Sequence, residues 1–372
     1  MIKARTRRII QGADYSAQEP RCLSALCRDE GMLKAYKEGK DLYVEIAAIS
    51  FHLPYKMCLE HFPKGAPIIK DGEGHWKYAL LNNGEDDGKG NFDELDYSNI
   101  DPKDYKYDKL ADGETDTYDE GKEYRSQAKK ILLGIMYGRG EKSIAEQLGC
   151  EVDEARDIKN NVYEAFPGIK VFERESNNMA KQCGYVTTLW GRKRRLPDYR
   201  LPNYDFFYLN ENDDKINETM QVPDSIKQTY LDKLLKAKYR KDKFAIINHA
   251  KAHDRILIVD NSSKIAKAQR QIINSRVQGS SADMSKLACI KIYNDEELKN
   301  RHVKIIIPVH DEILLETPIR YAKFVKQRFA YDMCEAPQPR LGIPMSVDVV
   351  SADRWYGEEL DLDAELSGLE DI

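Results

Sequence analysis

The sequence predicts an α+β fold in which a small antiparallel sheet is backed by helices. Two observations support this prediction: helical patterning dominates most of the chain, and the few strand-like apolar runs lie in distant parts of it, near residues 7–16, 303–317 and 345–355. With 372 residues the chain can bury a large core, either as one domain with subdomains or as two domains.

The elements follow from local patterns taken in chain order. The stretch "RRIIQGADYS" indicates a first strand, and helical segments follow it up to residue 58. Helical periodicity returns between 124 and about 176, with expected breaks at Gly149 and at the "FPG" of 166–168. The later expected elements are a hairpin with a basic end at 184–199, one basic amphipathic helix at 224–243, a long helix at 264–295, a hairpin at 303–317, another helix, and a final strand at 345–355.

Charge is distributed unevenly along the chain. Residues 71–120 contain 16 Asp or Glu against 5 Lys and no Arg, so this segment carries −11 while the rest of the protein carries +6. A basic body of this kind is compatible with a nucleic-acid partner despite the net charge of −5. The acidic segment is predicted to be an exposed insertion: a solvated excursion, an interface for a basic partner, or a guard against nonspecific DNA.

Composition also limits the cellular context. No apolar run reaches the roughly 20 residues that span a bilayer, and the basic N-terminus lacks the apolar core of a signal peptide. The seven cysteines are scattered without a CxxC pair, which favours reduced thiols in a cytoplasm over disulfides or a zinc site. No membrane partner is expected.

Two acidic positions call for an explanation. In "IIIPVHDEILLE", His310, Asp311 and Glu312 lie between two apolar runs predicted to be core strands, where an unpaired charge costs several kcal/mol. In "DYSAQEP", Asp14 ends the first strand, and Ser16 and Glu19 have the spacing of a helix capping box. Ordinary acidic turns are one interpretation, and ligands for a shared cation such as Mg²⁺ are the other.

A second pattern is a four-residue repeat in "RSQAKKILLGIMYG". Arg125, Lys129, Leu133 and Tyr137 share one helix face over roughly 18 Å. The stripe runs from two cations to an aromatic ring, which matches the polarity of a nucleoside triphosphate. A solvated basic face is the alternative.

Other polar groups are spaced for contact with a duplex. Arg270, Asn274 and Gln278 also step by four, and long donors of this type can contact minor-groove acceptors without regard to sequence. The run "GRKRRLP", with Arg192 and Arg194, could hold phosphates. Each pattern alone is also compatible with an ordinary polar surface.

Together these motifs resemble the polymerase region of the family A DNA polymerases, the DNA polymerase I family. "DYSAQEPR" resembles motif A, "RSQAKKILLGIMYG" motif B and "VHDE" motif C, and "GYVTTLWGRKRRLPD" and "QGSSADMSKLA" match further family segments in the family's order. The resemblance covers nearly all of 10–58, 123–199 and 264–356. The sequence "QGADYSAQEPR" and both insertions are most similar to those of bacteriophage and prophage polymerases.

The resemblance implies a right-hand polymerase fold: a palm with a small antiparallel sheet and a mainly helical fingers subdomain. It assigns the chain to the following segments: palm with motif A at 1–58, acidic insertion at 59–122, fingers with the motif B helix at 123–183, basic hairpin at 184–199, second insertion at 200–263, and palm with motif C at 264–372.

The resemblance also implies roles for individual residues. Asp14 and Asp311, with the Tyr15 carbonyl, would bind two Mg²⁺ ions, and Lys129 would take part in catalysis. The remaining nucleotide contacts would come from Arg125 and Lys129 at the triphosphate, Tyr137 near the templating base, Glu19 as a steric gate against a ribose 2′-hydroxyl, and Gln18, Tyr43 and Leu133 around the pocket. Primer and duplex contacts would come from Arg192, Arg194, Arg270, Asn274, Gln278, His310 and Glu312.

Three departures from the family pattern affect these expectations. Leu133 replaces a usual aromatic residue, Tyr43 a usual histidine and Arg276 a usual proline. The change at Leu133 puts packing against the sugar and base, and discrimination against dideoxynucleotides, in question.

The expected activity is template-directed DNA synthesis from dNTPs on primer-template DNA during phage or prophage replication, in the cytoplasm of a bacterial host. Because the chain begins 13 residues before Asp14, thumb and exonuclease regions are expected to be absent and to come from a separate chain or an upstream segment. The alternatives are a non-catalytic DNA-binding remnant or assembly subunit of a split polymerase, and RNA synthesis.

Overall fold

The computed structural model describes residues 2–62, 67–70, 73–74, 76–78, 106–107, 116–216 and 221–370. These residues form two compact units. The larger unit comprises Met1–Glu175, Thr187–Arg192 and Ile273–Ile372, and the smaller comprises Ser176–Val186 and Lys193–Ile272.

The strands are β1 Arg8–Tyr15, β2 Pro67–Lys70, β3 Trp76–Tyr78, β4 Lys106–Tyr107, β5 Tyr185–Thr187, β6 Lys193–Arg195, β7 Tyr204–Tyr208, β8 Ile256–Asp260, β9 Lys304–Val309, β10 Glu312–Pro318 and β11 Val347–Ala352. The helices are α1 Gln18–Cys27, α2 Glu30–Lys37, α3 Leu42–Phe51, α4 Asp119–Met136, α5 Glu141–Leu148, α6 Val152–Ala165, α7 Gly168–Cys183, α8 Asp224–Lys236, α9 Arg240–Asp254, α10 Ser262–Asn294, α11 Glu296–Asn300, α12 Ala322–Glu335, α13 Gln338–Leu341 and α14 Leu362–Glu370. The predicted α+β class is confirmed.

A four-stranded antiparallel sheet with strand order β11-β1-β10-β9 lies at the centre of the larger unit. Its strands come from both ends of the chain, so the predicted first strand pairs with the predicted hairpin and the predicted final strand. The apolar residues Ile9, Ile313 and Leu315 are almost completely buried, and this burial holds the distant segments together.

Helix α12 covers one face of this sheet. Gln11 donates its side-chain amide to the Ala322 carbonyl at 2.9 Å, and the Tyr15 hydroxyl donates to the Met333 carbonyl at 3.0 Å. Because side chains alternate along a strand, Gly12 and Asp14 lie on the opposite face of β1. Ile10 and Leu314 on that face are also buried, so both faces of the sheet are packed, whereas Asp14 is exposed at the end of β1.

The expectation that both strands of the hairpin are core strands is wrong for β9. Strand β10 is buried, whereas Ile306 and Ile307 of β9 are 39% and 40% exposed. β9 is an edge strand of the sheet and contains Pro308, which cannot donate a ladder hydrogen bond and is tolerated at an edge.

The capping box predicted around Ser16 and Glu19 is also wrong. Helix α1 begins after Ala17, which adopts a left-handed conformation (φ 51°) and provides no side-chain cap. The Ser16 hydroxyl donates instead to Asp348 of β11 at 3.1 Å. Pairing of β1 with β11 places this acceptor close to Ser16, and the local pattern carries no information about that pairing.

The helical segment after residue 118 is divided as predicted at Gly149, which ends α5 with φ 72°. A further break at 137–140 was not predicted: α4 ends at Met136, and Gly138 adopts φ 63°. Tyr137 is therefore the residue that follows the helix, rather than its last turn.

The smaller unit contains the paired strands β7 and β8 and the helices α8 and α9. The single helix predicted at 224–243 is wrong, because Ala237 and Tyr239 are extended and separate α8 from α9. The break lets Tyr230 and Leu234 of α8 and Ala250 of α9 reach one apolar cluster with Ile256 and Ile258.

Most of the acidic insertion predicted at 59–122 lies outside the described residues, apart from its two ends and the short strands β2–β4. In the described part of the chain, no helix has the length and apolar character needed to cross a bilayer.

Candidate active site

An open cavity of about 600 Å³ lies within the larger unit. It is lined by the end of β1, the start of α1, the α2–α3 loop, one side of α4, the β9–β10 turn and the start of β11. The structure brings these predicted site residues together in its lining: Asp14, Tyr15, Gln18, Glu19, Tyr43, Arg125, Lys129, Leu133, Tyr137 and Asp311.

Carboxylates are concentrated at the sheet end of the cavity. The strand register places Glu312 of β10 directly opposite Asp14 on one side and Asp348 of β11 opposite it on the other, and Asp311 is in the adjoining turn. Desolvation, followed by the negative charges of Asp311, Glu312 and Asp348, raises the pKa of Asp14 to about 6. Like charges directly opposite in a sheet repel, so a cation in this region would stabilise the arrangement.

The Glu312 carboxylate is held from two sides. Its Oε2 accepts a hydrogen bond from the Trp355 indole at 3.0 Å. Its Oε1 would lie 2.5 Å from a Cβ added at Gly12, so the absence of a side chain at Gly12 makes room for it. Trp355 and Gly12 therefore fix the position of Glu312 beside Asp14.

The donor set fits Mg²⁺. Among the described residues, no three His, Cys, Asp or Glu side chains converge into a preformed metal cage. Mg²⁺ is commonly bound by one or two carboxylates together with waters and substrate phosphates, and needs no such cage. Asp14 and Asp311 in the cavity lining provide hard oxygen donors of this type.

The cationic end of the cavity is built on α4. Arg125 Nε donates to Asp41 Oδ2 at 2.8 Å, and its guanidinium carbon lies 5.5 Å from the centre of the Tyr43 ring. Glu60 is 3.7 Å from the same guanidinium group. Asp41 also caps α3 by accepting from Tyr43 N at 2.8 Å, so one carboxylate orients both Arg125 and the helix that carries Tyr43.

Lys129 is exposed in the cavity one turn further along α4, and no described carboxylate lies within ion-pair distance of it. Leu133 follows one turn later, and no aromatic ring stands at its position. The predicted stripe is thus present on α4, with Tyr137 just beyond the helix end.

A hydrogen-bonded chain lies at the other end of the stripe. The Tyr137 hydroxyl donates to Glu19 Oε2 at 3.1 Å and accepts from Gln278 Nε2 at 3.4 Å. Burial, then the charge of Glu19, raises the pKa of Tyr137, so the phenol stays protonated and remains a donor. These hydrogen bonds fix the Glu19 carboxylate in the cavity.

Gln18 is 6% exposed, and its amide donates to the Ser281 carbonyl at 3.3 Å and the Ser285 hydroxyl at 3.1 Å. These contacts tie α1 to α10. Gln18 therefore lines the cavity while its donors are already engaged.

Some predicted duplex contacts lie in the larger unit. Gln278 and His310 are exposed, and His310 adopts φ 55° in the two-residue turn between β9 and β10. The Asn274 side-chain oxygen is buried and has no hydrogen-bond partner among the described residues. Arg192 Nε donates to Asp283 Oδ1 at 2.6 Å, and Arg192 Nη2 donates to the Gly279 carbonyl at 2.9 Å, so this side chain is partly engaged within the protein.

Arg194 and Arg270 are both in the smaller unit, and both are exposed. Arg276, which occupies a position where proline is usual in the resembled family, is in the larger unit. It donates to the Thr187 carbonyl at 3.0 Å and stacks over Phe172 at 4.5 Å, so its role is packing.

Sequence reasoning missed several groups in the cavity: Asp41, Lys40, Ser346 and Asp348. The acid in "MSVDVVS" could have been noticed as a charge within an apolar strand, which is the signal that drew attention to Asp311. Asp41 precedes an apolar helix in the position of an N-cap, so its sequence context indicates only a structural role.

Comparison with known proteins gives a family match. Residues 112–357 match the model of DNA polymerase family A. The DNA polymerase I of Caldicellulosiruptor bescii is 28% identical over 65% of this chain, and that of Borreliella burgdorferi is 23% identical over 95% of it. The chain spans 21% and 26% of the lengths of these relatives.

A solved structure has a similar fold. The polymerase domain of Pol1 from M. smegmatis, in complex with DNA primer-template and dNTP, aligns with 95% of this chain and 41% of its own, with a TM-score of 0.56 and 19% identity.

Proposed function

Because the chain belongs to DNA polymerase family A, we propose that it carries out template-directed DNA synthesis, in which a primer 3′-hydroxyl attacks the α-phosphate of a dNTP and pyrophosphate leaves. One observation carries this proposal: a single cavity combines the carboxylates of Asp14 and Asp311 with the cations of Arg125 and Lys129 and the ring of Tyr137. Phosphoryl transfer depends on positioning and charge neutralisation, and these groups supply both.

Asp14, Asp311 and the Tyr15 carbonyl would hold two Mg²⁺ ions. When bound, the ions supply activation of the attacking hydroxyl and stabilisation of the charge that develops on the leaving group. Glu312, which accepts from Trp355 and occupies the space left at Gly12, adds negative charge beside Asp14 and would contact the primer end.

The protein's own side chains orient the nucleotide. Arg125 and Lys129 bind the triphosphate, with Arg125 aligned by Asp41, and Lys129 neutralises charge during transfer. Leu133, Gln18 and Tyr43 border the sugar and base.

Glu19, held by the Tyr137 hydroxyl, crowds the position of a ribose 2′-hydroxyl. Asn274, Gln278, His310, Arg192, Arg194 and Arg270 contact the primer-template. The six-segment division of the chain into palm, fingers and insertions is part of the same proposal.

The wider setting is also proposed. The wording of motif A and the two insertions support a bacteriophage or prophage polymerase acting in the cytoplasm of a bacterial host. The chain spans about a quarter or less of its bacterial relatives, so a separate chain or an upstream segment that supplies thumb and exonuclease regions stays a prediction.

Primer extension by the purified chain with dNTPs and Mg²⁺ tests the proposal, alone and with the product of the neighbouring gene. Asp311→Ala should reduce extension by at least about a hundredfold. Asp157→Ala, which changes an exposed aspartate on α6, should leave extension unchanged. Equal extension by Asp311→Ala and the unmodified protein would show that the metal assignment is wrong.

Two other outcomes distinguish the alternatives. Tight primer-template binding without incorporation, even with the neighbouring gene product, would identify a non-catalytic remnant or assembly subunit. Preferential incorporation of rNTPs would identify RNA synthesis.

A further inference from the structure

The junction between α8 and α9 combines dense positive charge with exposed aromatic rings. The sequence "KAKYRKDK" at 236–243 contains five cations and one acid. Tyr239 is 65% exposed and Phe244 is 63% exposed, although the neighbouring Tyr230 and Leu234 are buried. Two exposed rings therefore lie within the six residues 239–244, among the cations of this segment.

The charges and rings form one surface, here called the junction surface: Lys238, Tyr239, Arg240, Lys243 and Phe244. Lys238, Arg240 and Lys243 line a cavity of about 570 Å³ together with Asp260, Ser262 and Ser263. Arg240 and Phe244 are four residues apart in α9 and are therefore neighbours on its surface. Tyr239 is the N-cap residue directly before the helix, and its carbonyl accepts a hydrogen bond from Lys243 N at 3.2 Å.

The cations of the junction surface are available for a ligand. Among the described residues, no carboxylate lies within ion-pair distance of Lys238, Arg240 or Lys243. The one acid in the cavity lining, Asp260, accepts a hydrogen bond from Ser262 N at 2.8 Å at the start of α10. The cavity therefore has a surplus of positive charge.

The basic surface continues along the first part of α10, within the same unit. Lys264, Lys267 and Arg270 are all exposed and recur every three residues. A polyanion that contacts the junction surface could follow this row of charges.

We propose that the junction surface binds single-stranded DNA, with phosphates on Lys238, Arg240 and Lys243 and unpaired bases stacked on Tyr239 and Phe244. Cationic grooves with exposed aromatic rings bind single strands because every base has a face that can stack. In a duplex the bases are already stacked, so the rings would add nothing. Binding itself does not depend on the proposed function, but identifying the strand as unpaired template does.

Fluorescence anisotropy with labelled oligo(dT) on the whole chain tests the binding. The double substitution Tyr239→Ala and Phe244→Ala should raise the Kd at least about tenfold, as expected for loss of stacking by one or two bases. The control Tyr293→Ala with Tyr331→Ala removes two other exposed rings, in the larger unit, and should leave Kd unchanged.

Replacing Lys238, Arg240 and Lys243 by Gln should reduce the slope of log Kd against log salt by about 2, because each contact to single-stranded DNA contributes about 0.7. The same change at Lys34, Lys299 and Lys326, which form surface ion pairs, should leave the slope unchanged. Photo-crosslinking of an iodouracil-substituted oligo(dT) should map to Tyr239 or Phe244.

Three results would overturn the inference. The first is equal oligo(dT) binding by the wild type and the junction variants, and the second is tighter binding to a blunt duplex with a Kd that the ring substitutions leave unchanged. The third is binding to phosphatidylglycerol vesicles that the ring substitutions abolish while oligo(dT) binding persists. The catalytic variant Asp311→Ala should bind oligo(dT) like wild type. Loss of extension in that variant with retained binding separates the inference from the proposed function.

Discussion

At the scale of single residues, the cavity depends on side chains that hold other side chains. Tyr137 holds Glu19, Asp41 holds Arg125, and Trp355 holds Glu312. In each pair a hydrogen bond within the protein orients the side chain that is proposed to contact substrate or metal. These side chains are therefore in position before a substrate binds.

The Tyr137–Glu19 contact can be tested through sugar selection. Glu19→Ala should lower the dNTP-to-rNTP ratio of kcat/KM by about ten- to a hundredfold, because the carboxylate proposed to crowd the 2′-hydroxyl is removed. Tyr137→Phe retains the ring but removes the hydroxyl that orients Glu19, so a smaller decrease is expected. An unchanged dNTP-to-rNTP ratio in Glu19→Ala would show that Glu19 is not the steric gate.

Gly12 offers a test of how Glu312 is positioned. In Gly12→Ala the new Cβ would meet Glu312 Oε1 at 2.5 Å, and the flexible carboxylate would have to move. The added Cβ would also lie 3.1 Å from Cδ2 of the fully buried Leu314. We therefore expect a lower kcat in primer extension together with a loss of about 1 kcal/mol in the free energy of unfolding, measured in urea. Gly39→Ala is unsuitable as a control because its φ is 74°; Gly140→Ala, which has open space around the added Cβ, is the matched change.

At the scale of elements, strand pairing decides which charges meet. The register of β1 with β10 and β11 sets Asp14 between Glu312 and Asp348, against their mutual repulsion. Burial of the α12 face of the same sheet offsets this cost, since Ala13, Ile313 and Phe329 are fully buried.

The opposite end of β10 contains a stabilising ion pair. Glu316, whose side chain is 5% exposed, accepts from Arg5 Nε at 3.0 Å and lies 3.0 Å from Arg8 Nε. The hydrogen bond from Arg5, with the charges of both arginines, lowers the pKa of Glu316 to about 2. A depressed pKa stabilises the fold above the unfolded-state value of 4.5, and this stabilisation is lost as the pH falls from about 4.5 towards 2.

Glu316→Gln should therefore lower the free energy of unfolding at pH 7 by about 1–3 kcal/mol, and the difference from wild type should shrink as the pH falls below 4.5. Urea unfolding followed by circular dichroism at several pH values measures it. Glu296→Gln, which breaks an exposed pair with Lys299, should cost less than about 1 kcal/mol. A difference that is equal at pH 3 and pH 7 would contradict the assignment.

At the scale of the whole molecule, one apolar cluster and the candidate active-site cavity belong to different units. The smaller unit has its own apolar cluster around Tyr230, Leu234 and Ile256, and the cavity with the predicted catalytic groups lies wholly in the larger one. Stability of the smaller unit and nucleotide binding in the larger one should therefore respond to different mutations.

Leu234→Ala tests this separation. Leu234 is fully buried, and truncating it should destabilise the cluster by about 2–5 kcal/mol. Hydrogen exchange should show faster exchange in α8 and α9, while the KM for dNTP stays within about twofold. Leu235→Ala, at a 75% exposed neighbour, is the matched control and should change neither quantity.

The family and the fold class were predictable because motifs and periodicity are local. Three motifs can be recognised without knowledge of the rest of the chain: Asp14 at the end of an apolar strand, the four-residue stripe of α4 and the "VHDE" turn. Gly149 was similarly predictable, because a left-handed C-cap favours glycine at that point.

Contacts between residues far apart in the sequence were not predictable, and these contacts decided the features that the sequence analysis missed. The partner of Ser16, the exposure of β9, the break between α8 and α9 and the presence of Asp348 in the cavity all depend on contacts between residues far apart in sequence. The sequence by itself determined which chemical groups this protein carries and in what local spacing. Only the tertiary structure decided which of them share one cavity, because burial and strand register act across the whole chain.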